Sequence, residues 1–389
     1  MTRAVDPRSV AGVRHRLAVG GPAISGAVQV AAALADQGGW GAEGVLDAVG
    51  PVRAALTGAG PLQPLLDDPR TTDVLVNGPG EVWVDRGDGL RRVDVDVGTE
   101  AELRTLAVRM AAVSGRRLDD SSPCVDVRLD HGVRLHAVLP PVSPAGTLVS
   151  LRVPRRRTFT LDELVACGTV PPTWAPVLTA VVRRRLGFLV CGGTGTGKTT
   201  VLGTLLGLAD PAERVLLVED TGELAPALPH VVRLEARHAN AEGAGSLTLA
   251  DLVRQALRMR PDRLVVGECR GAEVSDLLGA LNTGHAGGCG TVHANAAADV
   301  PARLEALGAL GGLDRAATAS QVASAIEVVV HLSRADGQRR VVEIGVVQTD
   351  RSGRQVTVRV VGALSWRAGA ERPGPGWDRL AGLLDGVPR

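Results

Sequence analysis

The 389-residue chain contains very little of several residue types, and each scarcity excludes something. It has no tyrosine and two phenylalanines, so it offers few platforms on which the bases of single-stranded nucleic acid could stack. Its five cysteines form no C-x-x-C pair, which excludes a zinc ribbon and favours reduced thiols in a cytoplasm. It has no run of 18 apolar residues, so the sequence predicts no membrane span. The net charge of +1 argues against a global basic field for nucleic acid.

Lysine is also scarce, because only one of the 43 lysines and arginines is a lysine. That residue, Lys198, lies in a segment that fits the phosphate-binding pattern G-x-x-x-x-G-K-[ST]. A lysine ammonium on its flexible stem reaches the β- and γ-phosphates, where a planar guanidinium would not fit. A glycine-rich turn with a chance lysine is the alternative. We predict that ATP is bound by Gly192, Gly193, Thr194, Gly195, Thr196, Gly197, Lys198, Thr199 and Thr200.

Acidic residues follow two apolar segments that read as buried strands. Glu268 ends the first of them, and we predict that it activates the attacking water or holds the water shell of Mg²⁺. A surface glutamate after a strand is the alternative. Glu219, Asp220 and Glu223 follow the second segment, and three acids so close together repel one another unless a cation such as Mg²⁺ neutralises them. We predict catalytic roles for Glu219 and Glu223, and a metal site formed by Thr199, Asp220 and Glu268.

Two histidines lie beyond the Glu268 strand in glycine-rich and strand-end contexts, His285 in Thr-Gly-His-Ala-Gly and His293 in Thr-Val-His-Ala-Asn. A lone histidine would more often be structural. Because histidine can donate to a γ-phosphate, the pair is predicted to complete the catalytic set.

The order of the periodic segments predicts the fold class. Residues 1–56 read as a helical extension, with a helix over 42–55, and residues 57–154 as a small α+β domain. Residues 155–175 read as a linker, after which alternating strands and helices predict an α/β domain with a mostly parallel, doubly wound sheet over 176–389. Three late strands are expected to form a meander beside it.

The N-terminal stretch 17–35 has an alternative interpretation, because it is mostly apolar and follows three basic residues, as in a signal peptide. Gly20-Gly21-Pro22 and Gln29 interrupt it, whereas Ile24, Val28, Ala31 and Ala35 fall on one helical face. A helix in a cytoplasmic protein is therefore the favoured prediction.

In combination, these segments resemble the ATPases of type II and type IV secretion. The likeness is strongest to the tight-adherence (Flp) pilus assembly ATPases, the CpaF/TadA-like branch. Residues 192–199 match that family's Walker A motif, 219–223 its aspartate box, 265–271 its Walker B motif and 283–295 its histidine box. Residues 286–290 carry fewer polar side chains than that histidine box, and residues 1–56 have no match.

The resemblance implies more than the residues do. It implies a RecA-like P-loop ATPase domain behind a nucleotide-capping domain, ATP and Mg²⁺ as cofactors, and a homo-oligomer, specifically a hexamer. It implies a cytoplasmic protein at the cytoplasmic face of the inner membrane, with secretion or pilus platform proteins as partners. Arginines of the N-terminal domain reach the γ-phosphate in such families; the candidates are Arg128, Arg134 and Arg152, for which a solvated strand face is the alternative.

The function implied is hydrolysis of Mg-ATP to power pilus assembly or protein secretion. A DNA-transfer motor of the conjugation type is one alternative, which the near-neutral charge and few aromatic residues disfavour. A nucleotide-gated scaffold without useful turnover is another, which the complete set of acids and histidines disfavours.

Overall fold

The computed structural model describes residues 13, 27–36, 42–56, 58–129, 132–153, 158–237, 245–335, 337–352, 355–367 and 369–384. Its internal contacts divide the chain into two units, Met1–Arg156 and Arg157–Arg389. Among the described residues, no helix combines the length and the apolar character needed to cross a membrane.

In the described part of the first unit, helices α1 (Ala27–Asp36) and α2 (Ala42–Leu56) precede the sheet, and α2 confirms the helix predicted over 42–55. Their small-residue sequences bury a core of their own that includes Val30, Leu34 and Val52. Most of the stretch compared with a signal peptide lies outside the described residues. A short helix, α3 (Gln63–Asp67), leads into the sheet.

A six-stranded antiparallel sheet forms the rest of the described part of this unit, in the order β3-β2-β1-β6-β5-β4. One face packs on helix α4 (Glu100–Val113), which starts at a Thr99 capping box and buries Leu103, Leu106 and Met110. The α+β prediction for this region is confirmed. Strand β3 was not predicted, because its exposed leucine and arginines lack the alternation of a half-buried strand. The strands are β1 (Asp73–Val76), β2 (Val82–Asp85), β3 (Leu90–Val93), β4 (Cys124–Arg128), β5 (Arg134–Val138) and β6 (Leu148–Arg152).

The described part of the second unit is a nine-stranded sheet in the order β15-β14-β13-β12-β7-β11-β10-β8-β9. Strands from β12 to β9 pair in parallel. Strands β12, β13 and β14 form the predicted antiparallel meander, and β15 adds one further antiparallel strand. The strands are β7 (Phe188–Gly192), β8 (Val215–Glu219), β9 (Val231–Glu235), β10 (Arg263–Cys269), β11 (Cys289–Val292), β12 (Val328–Ala335), β13 (Gln338–Ser352), β14 (Gln355–Arg367) and β15 (Ala370–Pro373).

Helices cover both faces of this sheet, which confirms the mostly parallel α/β fold. Alternate residues of β7 enter different cores, with Phe188 and Val190 on one side and Leu189 and Cys191 on the other. The helices are α5 (Leu161–Ala166), α6 (Ala175–Arg183), α7 (Lys198–Leu206), α8 (Leu249–Ala256), α9 (Glu273–Asn282), α10 (Val300–Leu310), α11 (Arg315–Ala325) and α12 (Trp377–Leu383).

Of the segment 155–175 that was predicted as a linker, the described residues 158–175 belong to the second unit. Helix α5 starts at a capping box formed by Thr160 and Glu163. Leu161, Leu164 and the fully buried Trp174 all belong to that unit's core. The Pro171-Pro172 pair that favoured a linker starts a 3₁₀ turn (Pro172–Trp174) that leads into α6.

Candidate nucleotide-binding site

The predicted site residues meet at one edge of the parallel sheet. In register, Val292 of β11 lies beside Cys191 of β7 and also beside Cys269 of β10. Because parallel strands end at the same edge, the residues that follow or end these strands gather there. The phosphate loop, His293, Glu268 and the acidic segment after β8 therefore form one cluster.

The loop after β7 has the conformation of an anion cradle. Gly192, Gly195 and Gly197 all adopt positive φ, at 153°, 72° and 94°. A Cβ at Gly192 would lie 2.5 Å from the Leu332 carbonyl oxygen. A Cβ at Gly195 would meet nothing within 4 Å apart from its neighbours in the chain. Helix α7 starts at Lys198, so its positive end faces the loop. Glycines at positive φ before a helix N-terminus suit bound phosphate oxygens.

The only lysine of the chain lies inside this cradle. Lys198 is 7% exposed, and its Nζ donates to the carbonyl oxygens of Gly192, at 3.1 Å, and Gly193, at 2.8 Å. Burial lowers the pKa of this ammonium, and the charge of Glu268 opposes that effect. Thr196 Oγ1 also donates to Gly193 O, at 3.0 Å. These bonds hold the ammonium against the loop that the sequence predicts to receive phosphates.

A chain of contacts links that ammonium to the acids. Lys198 Nζ lies 3.4 Å from His293 Nε2, which is 2.6 Å from Glu268 Oε1 and donates to it. The other carboxylate oxygen of Glu268 lies 3.6 Å from an Arg270 Nη2 nitrogen, which donates at 2.6 Å to Asp220 Oδ2. The structure thus brings together an ammonium, an imidazole, a guanidinium and two carboxylates, with Glu268 at the centre.

Glu219 has a different position from the one its predicted catalytic role requires. It is 3% exposed, and its Oε1 accepts the backbone N–H groups of Glu223 and Leu224, each at 2.9 Å. Burial raises the pKa of Glu219 to about 7. A Cβ at Gly267 would lie 2.8 Å from Glu219 Cγ, so β10 leaves just enough room for this side chain. Glu219 fixes the turn that carries Glu223, whose own side chain is exposed.

Arg270 was not singled out from the sequence, and it changes the account of the acidic cluster. The three acids were expected to need Mg²⁺ as their neutralising cation. The structure places the Arg270 guanidinium between Asp220 and Glu268, while Glu219 is buried. Glu273 Oε1 accepts the backbone N–H of Arg270, at 2.6 Å, and so holds this segment in place. The one sequence signal for Arg270 was its position directly after β10, the strand that carries Glu268.

His285 does not join the cluster. It precedes β11, whereas His293 follows that strand, so the two lie at opposite edges of the sheet. His285 Nδ1 lies 3.1 Å from Ala280 O at the end of α9. In this chain the geometry therefore supports a structural role for His285 rather than the predicted contact with a γ-phosphate.

The residues present fit a metal that is shared with phosphate rather than one held by protein alone. No group of three or more His, Cys, Asp or Glu side chains in the described ranges could hold a metal ion. Mg²⁺ typically binds one or two protein oxygens together with substrate phosphates and water. Thr199 and Thr200 lie in the first turn of α7, both half-buried, at the same edge as Asp220 and Glu268.

In the first unit, the three predicted arginines form one row. Arg128 pairs with Arg134 across β4 and β5, and Arg134 pairs with Arg152 across β5 and β6. They share the sheet face opposite α4, and Arg134 Nε donates to Asp126 Oδ1 at 2.8 Å. The geometry thus groups them as a basic row within their own unit.

A parallel sheet with a glycine-rich loop, a buried lysine and a strand-end glutamate defines a P-loop nucleotide-binding protein. The chain belongs to the family described as Type II/IV secretion system protein, whose model matches residues 55–365. It is similar to a protein of Mycobacterium tuberculosis named for conjugal transfer, at 55% identity over 82% of this chain and 90% of that protein.

Two further comparisons extend this result. The type IV secretion system protein PtlH of Bordetella pertussis is 32% identical, over 73% of this chain and 92% of that protein. The structure of the Legionella pneumophila ATPase DotB shares the fold, with a TM-score of 0.53 and 22% identity, over 73% of this chain and 79% of that one.

Proposed function

We propose that the chain is a secretion-motor ATPase that hydrolyses Mg-ATP as a hexamer to power pilus assembly or protein secretion. In this proposal it belongs to the tight-adherence branch of its family and works at the cytoplasmic face of the inner membrane, on platform proteins embedded there. The basic row Arg128, Arg134 and Arg152 would contact the γ-phosphate when ATP is bound.

The observation that carries the proposal is the continuous set of contacts from Lys198 through His293 and Glu268 to Arg270. These contacts support the proposal because the ammonium, the imidazole, the carboxylate and the guanidinium lie side by side at the edge of the sheet. A scaffold that only binds nucleotide would need the loop and the lysine, but not the carboxylate and imidazole beside them.

Each residue has a defined task in this proposal. The loop amides and Lys198 would hold the β- and γ-phosphates, and Thr199 with Asp220 or Glu268 would hold Mg²⁺, whose charge offsets that of the phosphates. Glu268 accepts a hydrogen bond from the attacking water and orients it for in-line attack. His293 Nε2 keeps the Glu268 carboxylate in place and lies beside the Lys198 ammonium.

Two substitutions test this assignment by phosphate release and nucleotide binding. Lys198→Ala removes the ammonium, so ATP binding or turnover is expected to be lost. Glu268→Gln keeps the shape but not the charge, so we expect ATP to bind while turnover falls roughly 10²- to 10⁴-fold. Glu305→Gln, in an ion pair with the exposed Arg315, is the matched control for loss of one carboxylate. Normal phosphate release from Glu268→Gln would remove Glu268 from the mechanism.

The two histidines give an internal comparison in the same assay. His293→Ala is expected to lower turnover strongly, because its imidazole contacts Glu268. His285→Ala is expected to have a small effect, since its ring lies at the end of α9. Equal losses in both variants would contradict the assignment of His293 alone.

A DNA-transfer motor is the second candidate, and the comparisons support it about as well. The relative that is 55% identical is named for conjugal transfer, and it covers 82% of this chain. Both candidates share the ATPase chemistry and differ in the cargo that is moved.

A further inference from the structure

A second cation reaches the phosphate loop from a distant part of the chain. Leu332 of β12 lies in register beside Gly192, so the end of β12 and the start of β13 lie at the edge where the loop begins. From the start of β13, Arg339 Nε donates to the carbonyl oxygen of Gly195 at 3.0 Å. Its Cδ would lie 3.5 Å from a Cβ at Gly197. Arg339 therefore lines the outside of the loop over residues 195–197.

The bonded carbonyl belongs to a peptide unit that matters for phosphate binding. The Gly195 carbonyl and the Thr196 N–H share one planar trans peptide, so they point in opposite directions. A guanidinium on the oxygen fixes the orientation of that plane, and it polarises the N–H on the other side. Lys198 binds the carbonyls of Gly192 and Gly193, and Arg339 supplies the next donor along the loop.

The strand that carries Arg339 is firmly held. Val341 N donates to Thr169 O at 2.8 Å, and β13 pairs with β12 on one side and with β14 on the other. A side chain supported on a paired strand positions its partner better than one on a free loop. Strand β13 therefore supports one wall of the phosphate loop.

We propose that Arg339 is a positioning residue of the phosphate loop: it orients the Gly195–Thr196 peptide and so strengthens binding of a nucleoside diphosphate or triphosphate. The proposal rests on the proposed nucleotide site and adds a residue 144 positions away from the carbonyl that it binds.

The test measures Mg-ADP affinity by titration calorimetry on the full-length protein. Arg339→Met removes the donor and is expected to weaken ADP binding roughly tenfold. Arg339→Lys restores a single donor and is expected to recover most of that affinity. Arg340→Met removes the neighbouring guanidinium over Trp366 and is expected to bind ADP like the wild type.

A thermal scan separates positioning from general destabilisation. Without nucleotide, Arg339→Met and Arg340→Met are expected to have similar Tm values. With saturating ADP, the rise in Tm is expected to be smaller for Arg339→Met only, because ligand stabilisation depends on affinity.

Several outcomes would overturn the proposal. One is wild-type ADP affinity in Arg339→Met, which would leave the proposed function intact. Another is an equal loss in the Met and Lys variants together with a lower Tm in the absence of nucleotide, which would make Arg339 a stability residue. Absence of ADP binding by the wild type would instead defeat the proposed function itself.

Discussion

At the scale of single residues, surroundings decide what a carboxylate can do. Glu219 is the last residue of β8 and Glu268 is the penultimate residue of β10, and both lie at the same edge of the sheet. Glu268 keeps 30% of its side chain exposed, beside an imidazole and a guanidinium. Glu219 is 3% exposed, and in the described residues no donor reaches its Oε2. The first is available to water, and the second supports the turn next to it.

The buried state of Glu219 predicts a pH dependence of stability. Its pKa is raised from 4.5 to about 7, so between these values the folded state holds a proton that the unfolded state has released. The free energy of unfolding therefore falls as pH rises through this window, by on the order of 3 kcal/mol if this group acts alone. Glu219→Gln cannot ionise at this position. Measured by urea titration, its free energy of unfolding relative to that of the wild type should therefore rise by this amount between pH 5 and pH 8.

Glu223→Gln is the control for that measurement, because it removes one negative charge from an exposed position in the same segment. The pH-dependent gain in stability is expected to be larger for Glu219→Gln than for Glu223→Gln, because Glu219 is buried and Glu223 is exposed. A constant difference for Glu219→Gln would show that its carboxylate ionises in the folded protein as it does in the unfolded chain.

At the scale of elements, glycines allow the site strands to approach closely. Gly290 of β11 lies in register beside Val266 of β10, and a Cβ there would lie 2.7 Å from the Val266 carbonyl oxygen. A backbone oxygen in a sheet has little room to move. The spacing of β10 and β11, and with it the positions of Glu268 and His293, depends on this glycine.

We therefore expect Gly290→Ala to lower the free energy of unfolding by about 1–3 kcal/mol, as overpacking does. Gly279→Ala is the matched control, because Gly279 lies in helix α9 and a Cβ there would meet nothing within 4 Å. Alanine favours a helix over glycine by about 0.5–1 kcal/mol, so this variant should be slightly more stable. Equal stabilities of the two variants in urea unfolding would contradict the close approach of the strands.

At the scale of the whole molecule, the sequence predicted what is local and missed what folding brings together. The loop around Lys198 and the strand before Glu268 carry their chemistry in adjacent residues, and the structure brings them together. His285 and His293 looked equivalent in the sequence, because their local contexts do not show that they lie beyond opposite ends of the four-residue strand β11. Arg339 gave no signal at all, since its partner Gly195 is 144 positions earlier in the chain.

The overall charge bears on which cargo the proposed motor moves. With 43 lysines and arginines against 42 acids, the chain has a net charge of +1 and no excess of basic residues to neutralise phosphates. A protein that grips DNA through many phosphate contacts binds it in a strongly salt-dependent way. The conjugal transfer reading would require such contacts only if this chain itself handles the DNA.

We expect fluorescence anisotropy to detect no binding tighter than about 1 μM to labelled single- or double-stranded DNA at roughly 150 mM salt, because the chain lacks a global basic field. ADP binding in the same buffer controls for correct folding. In the described sheets, the basic row formed by Arg128, Arg134 and Arg152 is the feature best suited to bind DNA phosphates. Submicromolar affinity that falls steeply with salt, and that is reduced by Arg128→Gln, would favour a motor that contacts DNA directly over one that drives pilins or secreted proteins.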